Sequence, residues 1–152
     1  MLLLCQKEGA GTVRKIIFLA ILCAAACQDM KNRSLDGRFL LACTGMGAAI
    51  RAIEGCVWTE VLCSAAVGLL FLAAGRLTSG GIGEGDGWFF MITGLLLEPR
   101  ENVMLAVAGI SLCFLFCLTL LARSIRDGRS VGKKKLPFLP FVLPGGIWIA
   151  LH

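Results

Sequence analysis

The sequence predicts an all-α membrane protein, a bundle of about six transmembrane helices, and three observations predict it. Of 152 residues, 57% are hydrophobic and only 16% charged, where soluble domains carry about 45–50% and about 25%. The mean hydropathy is +0.82. Apolar runs recur along the whole length, at about 15–28, 39–53, 56–75, 87–97, 102–122 and 136–151, rather than gathering in one core helix. The chain therefore reads as one domain, 1–152, with residues 1–14 as an N-terminal tail, in a multi-pass arrangement in the cytoplasmic membrane.

The first run follows Arg14-Lys15 and ends at Ala25-Ala26-Cys27, with Asp29 just beyond. Basic residues, an apolar stretch and then Ala24-Ala25-Ala26-Cys27 also make a lipoprotein-type signal the rival reading of this run, although Ala24 stands where such signals usually carry leucine. The second and third runs are separated by the tight Ile53-Glu54-Gly55, and both are rich in Gly and Ala (Gly45, Gly47, Ala65, Ala66), which lets helices approach closely in lipid. The third and fifth approach the roughly 20 residues that span unaided, so the others are expected to tilt or to recruit polar flanks. The last opens on Pro137 and Pro140, expected to bend or loosen it.

Charge orients the bundle. The formal net charge of +5 is concentrated in loops: Lys31, Arg33 and Arg38 in the first, Arg76 in the third, and Arg123 to Lys135 in the fifth. The second loop and the fourth, Glu98-Pro99-Arg100-Glu101, are not basic. This alternation puts loops one, three and five in the cytoplasm and the N-terminus outside. The tail, with Lys7, Arg14 and Lys15 against Glu8, runs against that assignment. Lys133 to Lys135 could also touch anionic headgroups. No motif or aromatic interleaving supports nucleic-acid binding.

The eight cysteines have no metal-ligand or disulfide-framework spacing, and the single histidine is the terminal His152. The expectation is no metal and no cofactor, with cysteines as small apolar packing residues.

Chemistry is carried by carboxylates at the edge of lipid, which are costly there and are functional candidates by default. Asp29 closes one apolar run and Asp86 opens another, with two crossings between them. An even number of crossings returns the chain to the same side, so the two must lie at one end of the bundle. Brought together, they share a proton, and the pair can supply both a base for water and an acid for a carbonyl. Gly83, Gly85 and Gly87 frame Asp86, and they are expected to adopt dihedrals closed to other residues and to admit an extended substrate strand. Singly, each aspartate has an ordinary reading, Asp29 as a span flank and Asp86 as a helix cap. Glu60 reads as an interfacial residue and Asp36 as a solvated turn residue.

These elements resemble the type IV prepilin peptidase family, a branch of the GxGD membrane aspartyl proteases. Gly83-Glu84-Gly85-Asp86 matches the GxGD motif, preceded by Ile82, and Asp29 falls where the family places its first aspartate. Lys135-Leu136-Pro137-Phe138-Leu139-Pro140-Phe141 is similar to the family's basic loop entering a Pro-Phe-x-Pro segment. Two departures stand out: Leu35-Asp36-Gly37 replaces an Ile-Pro-Asn-like element, and Trp88 replaces a lysine. The resemblance covers about residues 15–151. It implies an aspartic-type endopeptidase that removes short basic leaders from type IV pilin-like precursors at the cytoplasmic face, with Asp29 and Asp86 catalytic. The short first loop leaves no room there for the paired-CxxC domain of larger members, so no methyltransferase activity is expected. The short build resembles members serving Flp/Tad-type pili or preflagellins. The alternative is a catalytically silent membrane scaffold or small transporter component.

Overall fold

A computed structural model describes residues 2–32, 34–55, 58–77, 83–127 and 137–151. Among them the regular elements are six helices: α1 (Leu2–Asn32), α2 (Gly37–Glu54), α3 (Trp58–Leu77), α4 (Glu84–Leu96), α5 (Pro99–Asp127) and α6 (Leu139–Leu151). Three stretches, Gly11–Asn32, Thr59–Leu77 and Pro99–Arg126, are long and apolar enough to cross a membrane, and Leu139–Leu151 is a shorter apolar helix. The fold is the all-α membrane bundle expected. The first apolar run does recruit its flanks, since α1 carries it together with Arg14, Lys15 and Asp29.

Local chemistry sets the helix ends. Asp36 is the N-cap of α2: in extended conformation, its Oδ1 accepts the Arg38 N–H at 3.0 Å. Gly55 ends α2 at φ 66°, in the left-handed region, and returns its N–H to the Arg51 carbonyl. Pro99 opens α5, where a missing N–H is harmless, and the Glu101 carboxylate reaches back to the Glu98 N–H at 3.2 Å. Pro140 occupies the first turn of α6, a tolerated position, so the proline inside the helix is Pro144.

Packing partners give the directions. Gly87 lies against Leu72, and Gly94 against Ser64 and Ala65, so α3 and α4 run antiparallel at close range, with Gly68 fitted against Met91 and Gly87 between those points. Gly146 fits on Leu22 and Phe18, which sets α6 antiparallel to α1. Gly109 faces Val142 while Gly145 faces Ala108, so α5 and α6 are antiparallel too. Small residues thus do at the helix seams what large ones do in the core. The core itself gathers Phe18, Leu22, Phe89, Phe90, Leu96, Leu105, Leu139 and Val142.

The end of the bundle holding the start of α1 is tied by ions and polar bonds. Arg14 pairs with Glu54 at 3.5 Å and Lys15 with Glu101 at 3.1 Å. These acidic partners offset the basic residues that ran against the predicted orientation. Deeper at the same end, Arg51 donates to the carbonyls of Leu95 at 2.6 Å and Leu97 at 3.3 Å, closing the C-terminus of α4. The Asn102 amide donates to the carbonyls of Ser64 at 2.8 Å and Phe90 at 3.2 Å, and accepts the Thr93 hydroxyl at 2.7 Å. Both the Asn102 and Thr93 side chains are fully buried, and these bonds satisfy them.

One expectation is corrected. Cys23, Cys27, Cys63 and Cys117 are exposed on the outside of the bundle, and Cys43 alone of the described cysteines is buried. Helix periodicity turns them toward lipid, where a thiol is as apolar as its neighbours. Among the described residues no three His, Cys, Asp or Glu converge as a metal site.

Candidate active site

Asp29 lies in the last turn of α1 and Asp86 in the first turn of α4. The alternating helix directions bring both to the end of the bundle opposite Glu54 and Glu101. The start of α6 joins them: the Leu139 N–H meets Asp29, and the neighbouring Phe138 ring packs on Phe90, one turn from Asp86. Asp29 is only 7% exposed, between the buried Ala25 and Ala26 side of α1 and the start of α6. Its Oδ2 accepts the backbone N–H of Leu139 at 3.1 Å. Asp86 is half-buried, and its own N–H is held by the Gly83 carbonyl at 3.1 Å.

Apolar side chains wall the pair. Phe90, one turn beyond Asp86, stacks on Phe71 of α3 with ring centres 4.7 Å apart, and Phe138 closes on both rings at 6.0 and 6.2 Å. Leu35, from the α1–α2 connection, lies against Gly85. The two acids therefore sit on an aromatic floor with a leucine beside the glycine loop. Such apolar surroundings strengthen charge interactions among the groups beside them.

The glycines act differently from the sequence expectation. Gly83 has φ −64° and ψ 125°, open to any residue, while Gly85 and Gly87 are helical. Only Gly55 among the described residues has positive φ. What Gly83 supplies is space: a Cβ there would sit 3.0 Å from Asp86 Oδ2. Gly87 likewise makes room for Leu72, and Gly85 for Leu35 at 3.4 Å. Proximity, not backbone freedom, explains the residue type.

The remaining candidates fall into place. Asp36 is a solvated cap on α2. Glu60 is exposed in the first turn of α3, where a negative charge complements the helix dipole. Glu84 and Trp88 are exposed at the site end. Ile82, Arg33 and Arg129 to Leu136 lie outside the described residues, as do Thr78 to Gly81 and His152. Sequence reading missed Leu139, because a backbone N–H leaves no letter in the chain, and it missed Leu35 as a wall of the site.

Comparison with known proteins settles the family. The model of the type IV leader peptidase family matches residues 16–122, which include both aspartates and the glycine loop. This chain belongs to the type IV leader peptidase family. Its family and its three long apolar helices mark the chain as a membrane protein. It is similar to a prepilin leader peptidase/N-methyltransferase of Bacillus subtilis (strain 168), with 30% identity over 139 residues, 90% of this chain and 54% of that protein. The chain thus spans about half the length of the curated relative it matches. No solved structure matches it.

Proposed function

We propose that this leader peptidase is an aspartic-type endopeptidase that removes the leader from type IV pilin-like precursors, including those of the Flp/Tad kind, at the cytoplasmic face of the plasma membrane. The observation that supports the reading is that Asp29 and Asp86 lie at one end of the bundle, linked through Phe138 and Leu139 and bordered by Phe90 and Leu35. The reaction follows from one shared proton. The ionised carboxylate takes a proton from water while the oxygen attacks the scissile carbonyl carbon, and the protonated partner donates to the carbonyl oxygen. When the resulting diol collapses, the C–N bond breaks. The departing amine takes the first carboxyl's proton, and the second carboxyl recovers its own from a diol hydroxyl. The exposed Glu84 beside the pair supports attraction of a basic leader, and an apolar precursor helix suits a bundle whose outer surface carries many large hydrophobic side chains.

Co-expression with a candidate precursor tests this. Wild type should convert the precursor to the shorter product, and Asp29→Asn or Asp86→Asn should each reduce conversion by at least about a thousandfold, as expected when one member of a catalytic pair acting as a unit is removed. Processing that persists in either variant, with the protein inserted normally, would overturn the assignment.

A further inference from the structure

Resting on the reading of Asp29 as catalytic, we infer that the last helix is a positioning element of the active site: Gly146 sets the register of α6 on α1, and that register delivers the Leu139 N–H to the Asp29 carboxylate. Two independent observations join here. The first is the hydrogen bond itself, 3.1 Å from Leu139 N to Asp29 Oδ2, between residues 110 positions apart in the chain. The second is the seam below it, where a Cβ on Gly146 would collide with Leu22 and press on the Phe18 ring at 3.4 Å. Both Leu22 and Phe18 are fully buried and have little space to yield.

The two contacts are matched in spacing. Leu22 and Asp29 are seven residues apart on α1, and Gly146 and Leu139 are seven apart on α6. In antiparallel helices rising about 1.5 Å per residue, the two intervals are equal, about 10.5 Å each. A helix seated on Leu22 by its glycine therefore presents its first turn at the level of Asp29. The first turn of a helix offers N–H groups with no partner in the helix. Pro140 has no N–H to offer, and the donor to Asp29 is Leu139, the residue before it. A carboxyl oxygen held by this donor keeps one orientation. Side chains that touch neither water nor substrate thus fix the geometry of the reaction.

The test uses the full chain in detergent or vesicles, with a precursor peptide as substrate. Replacing Leu139 by its α-hydroxy acid counterpart turns the N–H into an ester oxygen and keeps the side chain. kcat should fall by about 10–100-fold with KM within about twofold, the range expected for a misplaced catalytic group. The same ester at Ile110 of α5 serves as the control for backbone damage alone and should lose far less. Gly146→Ala should also lower kcat, and adding Leu22→Ala, which makes room for the new methyl, should recover it. An ester variant with unchanged kcat, or a loss confined to KM, overturns the role of Leu139. A Gly146→Ala variant that loses nothing, or one that Leu22→Ala fails to rescue, overturns the register argument. Should wild type and Asp29→Asn be equally inert, the functional reading fails instead.

Discussion

Asp29 and Asp36 stand seven residues apart and do different work, and the difference is set by what surrounds each carboxylate. Asp36 faces solvent and satisfies the Arg38 N–H, so Asp36→Asn keeps the cap, since asparagine and aspartate are equivalent there. Cleavage by that variant should stay within severalfold of wild type, and its abolition would show that the wrong first acid was chosen. Gly83→Ala makes the opposite prediction. The added methyl would meet Asp86 Oδ2 at 3.0 Å and turn the carboxyl aside, so kcat should fall about tenfold or more. Gly85→Ala meets Leu35 at an ordinary 3.4 Å and should be milder when both are assayed together. Both aspartates and their common end of the bundle were legible in the sequence, because crossing parity needs only the apolar runs. The reason for the glycines was misread, since a GxGD pattern looks the same whether it provides φ freedom or empty space.

At the scale of elements, the bundle is organised by seams of missing side chains. Gly94 is one of the demanding positions: its Cβ would lie 2.8 Å from Ala65 N and 2.9 Å from the Ser64 carbonyl carbon, and backbone cannot swing away as a side chain can. Gly94→Ala should therefore destabilise the protein by about 1–3 kcal/mol, the usual range for overpacking. Thermal unfolding in detergent checks this, with Gly45→Ala, which faces open space, expected to leave the midpoint unmoved. The helices themselves were foreseen from hydropathy, but the clamp at the far end of α4 was not. Arg51 and Asn102 are single polar residues inside apolar stretches, and nothing in spacing alone reveals that they meet the carbonyls of Leu95, Leu97, Ser64 and Phe90. The seating of α6 against Asp29 was equally invisible, because it depends on a tertiary register.

For the molecule as a whole, the two ends differ in charge logic. At one, Arg14 and Lys15 are balanced by Glu54 and Glu101; the other holds the aspartate pair. On the proposed orientation the balanced end is outside. In a variant whose native cysteines are replaced, a membrane-impermeant thiol reagent added to intact cells should label Arg100→Cys and spare Ser34→Cys. Labelling in the reverse pattern would invert the topology while leaving the two acids together, since parity fixes their common side whichever way the protein inserts.

The brevity of α4 has a consequence for where hydrolysis finds its water. Thirteen residues rise only about 20 Å, whereas the hydrocarbon layer is about 30 Å deep. Clamped by Arg51 and Asn102, this helix is about 10 Å too short to span that layer alone. Lipid must thin there or polar chain must dip inward. On the proposed function, either adjustment would bring water, the second reactant of hydrolysis, toward Asp86.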